Sequence, residues 1–143
     1  MNPADLRFEP IQDRFRPLSA ERIQELEVRL KSTLPTAYVD FLSHYGGCGF
    51  SGDANVSSDR GRFPIFTFFD GQKLLSKLGF YEDLAAEGKL AIADDMAGNV
   101  YVLDASAGTL YFLDFSTNPP MGTKVADSFD KFLVSITVEP YIQ

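Results

Sequence analysis

Apolar residues recur at helical spacing in three stretches of the chain. These stretches run from Ser19 to about Ser32, from Pro35 to Tyr45, and from Asp127 or Ser128 to Ile136. In the first, Ile23, Leu26 and Leu30 are spaced i, i+3 and i+7. The other two follow the pattern i, i+3, i+4 and i+7: Tyr38, Phe41, Leu42, Tyr45; Phe129, Phe132, Leu133, Ile136. Each pattern places one apolar stripe along a helix, so three helices are predicted.

Short apolar runs between turn residues predict strands in the second half of the chain. "KLAIA" (89–93), "NVYVLD" (99–104) and "LYFLDF" (110–115) are separated by segments that contain glycine with small or acidic residues. This arrangement is typical of consecutive hairpins, so we predict an antiparallel meander over 89–115. "FPIFTFF" (63–69) and "TKVA" are further strand candidates, and a short helix is expected to stop near Gly79.

Two segments show no helix or strand periodicity. Residues 1–17 contain three prolines and are expected to form an extended arm, whereas the small and polar residues 46–62 are expected to form a long loop. No linker or repeat divides the chain. The prediction is therefore one α+β domain over 1–143, with a mainly antiparallel sheet flanked by N-terminal and C-terminal helices.

Both faces of the predicted meander are apolar. Val100 and Val102 point to one face, and Tyr101 and Leu103 to the other. An antiparallel sheet that is solvated on one side would alternate apolar and polar residues. We favour the interpretation that helices cover one face and that the arm or long loop covers much of the other. The alternative is that part of one face is an aromatic patch for a partner.

Composition and charge narrow the classes of function. The net charge is −7, and the basic residues are scattered, so direct nucleic-acid binding is not expected. An acidic surface favours a basic protein partner; the alternative is that the charge only keeps a small protein soluble. The apolar runs are too short to cross a bilayer, no secretion signal is visible, and there is a single cysteine. We therefore expect a cytoplasmic protein without membrane association.

No motif in the chain specifies catalysis, a metal or a cofactor. The acids of "DDMAGNVYVLD" (94–104) do not match a calcium loop, because the required oxygen ligands and glycine fall out of register. "GCGFSG" (47–52) has the glycine spacing of a dinucleotide-binding fingerprint, but that fingerprint must follow a strand, and this segment follows a predicted helix. His44 is the single histidine, and nothing beside Cys48 would activate its thiol. We expect no enzyme activity, with the aspartates shaping turns.

Three motifs in order resemble those of a known family. They are "LPTAYVDFLSHYGG", "LAIADDMAGNVYVLD", and "LYFLDF" followed by "VADSFDKFL". Together, from about Glu21 to Ile136, the chain resembles the SUKH superfamily, which includes fungal cell-wall assembly regulators and many bacterial immunity proteins. The resemblance implies an α+β fold, no enzyme activity and a partner surface that varies among members.

Two hypotheses of function follow from the resemblance and the charge. One is an immunity protein that covers the active face of a cognate toxin, possibly a nuclease with a basic surface. The other is an intracellular regulatory or scaffold module of the cell-wall regulator type. For the immunity hypothesis, the candidate partner-binding residues are acids expected in exposed loops and turns: Asp53, Asp59, Asp94 and Asp95. Reversing Asp94 and Asp95 to lysine is expected to slow association and to leave thermal stability nearly unchanged.

Overall fold

The computed structural model describes residues 8–141, and the predicted α+β class is confirmed. Within that range there are five helices: α1 (Ala20–Leu30), α2 (Thr36–His44), α3 (Gly71–Phe80), α4 (Glu82–Ala86) and α5 (Phe129–Val134). The strands are β1 (Phe8–Glu9), β2 (Gly49–Phe50), β3 (Gly52–Ser58), β4 (Gly61–Ile65), β5 (Thr67–Phe68), β6 (Lys89–Asp94), β7 (Val100–Asp104), β8 (Leu110–Asp114), β9 (Met121–Ala126) and β10 (Ile136–Pro140).

The strands form three antiparallel groups. A five-stranded sheet has the order β5-β6-β7-β8-β9, a three-stranded sheet has the order β10-β3-β4, and β1 pairs with β2. The predicted meander corresponds to β6, β7 and β8, and the "TKVA" strand lies in β9. The meander was therefore predicted with both its order and its pairing correct.

The prediction of a long loop over residues 46–62 was wrong, because this segment contains β2, β3 and the start of β4. In β3 the small residues Ala54 and Val56 are buried, while Asp53 and Ser57 are exposed. This is the alternation of a half-buried strand. "FPIFTFF" is also divided, because residues 63–65 belong to β4 and the next strand, β5, belongs to the other sheet.

The ends of the chain differ from the prediction as well. The C-terminal helix stops at Val134, and Ile136 begins β10 opposite Val56. Of the two residues predicted to cap the start of this helix, Ser128 does so: its hydroxyl accepts a hydrogen bond from the backbone N–H of Lys131. The predicted arm begins outside the described residues, and its described part contains β1, which pairs with β2.

Both faces of the meander are buried at its central strand, where Val100, Tyr101, Val102 and Leu103 are each at most 3% exposed. Tyr101 is fully buried, its ring lies 5.4 Å from that of Phe132 in α5, and its hydroxyl donates to the carbonyl of Pro64 in β4 (2.6 Å). Phe63 of β4 contacts Phe112 of β8 at 5.0 Å between ring centroids. The three-stranded sheet, formed largely by the segment predicted as a loop, therefore covers one face together with α5.

The Gly46-Gly47 pair allows three parts of the chain to meet at the end of α2. Gly46 has a φ of +71°, and a Cβ placed there would lie 2.0 Å from the carbonyl oxygen of Arg16. A Cβ on Gly47 would lie 2.5 Å from the backbone nitrogen of Asp70. Since both contacts are with backbone atoms, side-chain rotation cannot relieve them.

Gly46→Ala is expected to lower the free energy of unfolding by about 3 kcal/mol, because it combines left-handed strain with a clash against backbone. Gly79→Ala is the matched control, since Gly79 is helical and open space surrounds the position of its missing Cβ. The control should gain about 0.5 kcal/mol from helix propensity. Urea denaturation measures both. Equal stability of the two variants would contradict the role assigned to Gly46.

Candidate functional site

A groove of about 920 Å³ lies on the surface between the three-stranded sheet, the segment that follows β1, and the turn that joins β6 to β7. All three strands of the three-stranded sheet contribute lining residues, and the segment after β1 and the β6–β7 turn contribute others. Among the residues that line it are Glu9, Ile11, Asp53, Asn55, Arg62, Phe66, Asp95, Met96, Glu139 and Tyr141.

Among the described residues, four large apolar side chains around this groove are exposed to solvent: Ile11, Phe66, Met96 and Tyr141. Met96 is the most open, with 81% of its surface accessible. These four residues come from four separate segments of the chain, and only the tertiary fold brings them close together. Exposed apolar groups collected around a concave surface are typical of protein interaction sites.

The groove also carries an excess of exposed negative charge. Glu9, Asp53 and Glu139 are exposed acids, whereas Arg62 is the single cation among the described residues that line the groove. Asp53 and Glu139 lie directly opposite each other in the β3–β10 pairing, where like charges destabilise a sheet. The Nη2 atom of Arg62 lies 3.2 Å from Oε1 of Glu139, but both side chains are largely exposed and the pair is weak.

Asp95 is buried and shapes the turn that presents Met96. Its Oδ1 accepts hydrogen bonds from the backbone N–H groups of Ala97 (2.8 Å) and Asn99 (2.9 Å). Its Oδ2 accepts from the side-chain amide of Asn99 at 2.9 Å. The amide oxygen of Asn99 in turn accepts from the backbone N–H of Phe115 (2.9 Å). The carboxylate therefore connects the β6–β7 turn to the end of β8.

The structure places two of the four sequence-predicted acids, Asp53 and Asp95, at the groove. Asp94 lies nearby but its Oδ1 accepts from the hydroxyl (2.7 Å) and the backbone N–H (3.2 Å) of Thr67. Asp59 is exposed in the turn between β3 and β4 and does not line the groove. The premise that turn position exposes these acids is wrong for Asp95, which is 6% exposed.

Several lining residues were missed by sequence reasoning because the strands that carry them were not predicted. Glu9 lies in β1, and Glu139 lies in β10. The alternation of apolar and polar residues in "DANVS" and in "ITVE" could have indicated both strands of the sheet. Even with both strands predicted, the position of Asp53 opposite Glu139 could be known only from the register of the β3–β10 pairing.

The geometry gives no support to a nucleophile or metal centre in the described residues. Cys48 is buried, and burial raises the pKa of its thiol far above the ordinary value, which disfavours the reactive thiolate. Across residues 8–141, no three His, Cys, Asp or Glu side chains gather as metal ligands. The absence of enzyme activity stays a prediction.

No helix within residues 8–141 has the length and apolarity needed to cross a bilayer.

Comparison with known proteins identifies the family. The model of the SMI1 / KNR4 family (SUKH-1) matches residues 17–135, whereas no curated protein matches the chain. The match covers most of the sequence, so the chain belongs to the SMI1 / KNR4 family (SUKH-1) and the predicted resemblance is confirmed. Family members are generally non-catalytic binding proteins, with immunity or regulatory roles.

Asp95→Ala is expected to lower the free energy of unfolding by about 2 kcal/mol, because it leaves donors of the turn without their acceptor. The burial of Asp95 argues against the expectation that reversing Asp94 and Asp95 to lysine leaves thermal stability nearly unchanged. Asp53→Ala, at an exposed acid of the same groove, should change stability by less than about 0.5 kcal/mol. Thermal and urea denaturation check both values. A neutral Asp95→Ala would show that the turn is held by other contacts.

Proposed function

We propose that this protein is an immunity protein that neutralises a cognate toxin by covering the toxin's basic face with the groove. The observation that carries the proposal is the combination, in one concave surface, of four exposed apolar side chains with exposed acids. Family membership supports a protein that acts by binding. The choice of a toxin as the partner is the part that experiment must decide.

The apolar and acidic groups would have different roles in the complex. Burial of Phe66, Met96 and Tyr141 against the partner would supply most of the affinity, since a few buried anchors dominate protein interfaces. The acids would speed encounter and select a cationic partner, helped by the net charge of −7. A nuclease toxin must present cations to phosphate, so its active face has the required charge.

The opposed carboxylates of Asp53 and Glu139 favour a cationic partner in particular. In the free protein these charges repel across neighbouring strands, and Arg62 compensates only Glu139. An arginine or lysine of the partner that contacts both carboxylates would remove this repulsion. The free energy gained would add to binding only when the partner carries a cation at that point.

The position of the groove relative to the family match also supports the proposal. The matched segment is 17–135, whereas Glu9, Ile11, Glu139 and Tyr141 lie outside it. Part of the groove is therefore formed by residues that are not described by the family pattern. An immunity protein needs such a surface, because it must recognise its own toxin and not those of its relatives.

Co-expression with a candidate toxin, chosen from the genes that neighbour this one, is the decisive experiment. We expect cells that produce the toxin to survive only when this protein is present, and the two proteins to elute together from a column at low salt. If a complex forms without protection, the regulatory or scaffold hypothesis for the family is favoured instead. If neither survival nor a complex is observed, the immunity proposal for that pair is wrong.

Charge reversal tests the role of the groove acids. Asp53→Lys and Glu139→Lys should each slow association with the toxin by about tenfold at low salt and weaken its salt dependence, because electrostatic steering is lost. Asp59→Lys is the matched control, with the same charge change at an exposed acid outside the groove. Stopped-flow kinetics measures the rates. Equal slowing by all three variants would assign the effect to net charge alone.

A further inference from the structure

Strand β10 is an edge strand whose hydrogen-bonding direction can be assigned. It pairs with β3 on one side, and no strand of residues 8–141 pairs with its other side. The backbone N–H of Ser57 donates to the carbonyl of Ser135 at 2.9 Å. Because bonding pairs alternate in an antiparallel ladder, Thr137 and Glu139 also direct their backbone groups to β3. Pro140, which has no N–H, falls at an outward position, in agreement with this assignment.

Val138 is the residue whose backbone faces away from the sheet in the middle of this strand. It lies between Thr137 and Glu139, so its N–H and C=O point to the open side. Within the described range neither group has a backbone or side-chain partner outside the β3 ladder. Its side chain is half-buried against the core, which keeps the backbone in place. An outward N–H and C=O held in extended geometry can accept another strand.

The open edge lies beside the groove. Glu139 and Tyr141, which follow Val138, both line the groove, and Asp53 lies opposite Glu139 on β3. A strand added to β10 would therefore present alternate side chains to this acidic side, with about 5 Å between directly opposed Cβ atoms. Cations at those alternate positions would meet Glu139 directly and Asp53 one strand further on.

We propose that the partner binds through an extended basic segment that adds to β10 as a further strand. Its backbone bonds to Val138, and its alternate arginine or lysine side chains contact Glu139 and Asp53. This inference rests on the proposed function and specifies how the partner is recognised. A second copy of this chain is a poorer occupant, because each copy carries a net charge of −7 and a Glu139 at the edge.

The test uses a synthetic eight-residue peptide in which arginine and threonine alternate, titrated into isotope-labelled protein and followed by NMR. The expected result is a set of amide shifts centred on Val138 and Glu139, with slower hydrogen exchange at the Val138 N–H. The same peptide with glutamate in place of arginine should cause no shift. Shifts that lie elsewhere on the protein, or equal shifts with the glutamate peptide, would overturn the proposal.

Two variants at position 138 distinguish the contribution of the backbone N–H to peptide binding from that of the side chain. Val138→Pro removes the outward N–H without removing a bond to β3, whereas Val138→Ala keeps the N–H and removes similar packing. We expect Val138→Pro to bind the peptide about tenfold more weakly than Val138→Ala, the effect of one hydrogen bond. Equal affinities would overturn strand addition. If Val138→Pro does not fold, a peptide N-methylated at the residues facing β10 gives the same comparison with the unaltered protein.

The co-expression assay distinguishes failure of this inference from failure of the proposed function. If the unaltered protein protects cells and Val138→Pro protects them equally, strand addition is wrong while the immunity proposal stands. If the unaltered protein gives no protection but the peptide binds at β10 as expected, the recognition mode stands for a partner other than that toxin. A protein that elutes as a dimer, with Val138 protected from exchange, would assign the edge to a second copy.

Discussion

The aromatic ring of Phe68 lies in a cluster of phenylalanines that joins separate elements of the fold. It is 1% exposed and lies in the two-residue strand β5. Its ring centroid is within 6.1 Å of five others: Phe8, Phe41, Phe50, Phe129 and Phe132. These rings come from β1, α2, β2 and α5. One side chain therefore joins the N-terminal segment, two helices and the edge of the five-stranded sheet.

The chain crosses between the two sheets immediately before Phe68, and this crossing positions part of the groove. The chain leaves the three-stranded sheet at Ile65 and enters the five-stranded sheet at Thr67. Phe66 is the one residue between these two strands, and its side chain is exposed. The backbone N–H of Phe66 donates to the carbonyl of Asp94 at 2.8 Å. Asp95 holds the neighbouring turn, so contacts within the chain position this side of the groove, and a surface formed in advance lowers the entropy cost of binding.

The parts of the fold that could be predicted from sequence are those whose pattern is complete within one element. The i, i+3, i+4, i+7 stripe of α2 and the apolar runs of β6 to β8 are of this kind. Strand β3 was missed because its buried residues are small and its exposed residues are those of loops. Ile136 satisfies the helical spacing of α5 and equally the β-branched pattern of β10, and only its pairing with Val56 decides between them. The groove depends on such pairings, so half of its acids were found and its apolar residues were not.

The way in which β1 and β10 attach to the fold suggests how one family can bind different partners. Each is a short strand at the edge of its group, paired to β2 or β3, and both include residues outside the segment 17–135. Phe8 and Ile136 anchor them in the core, whereas Glu9, Thr137 and Glu139 face solvent. Substitution of those exposed residues changes neither the aromatic core nor the ladder hydrogen bonds, which backbone atoms make. Within the surface that we assign to partner recognition, the exposed residues of β1 and β10 are thus those that the fold constrains least.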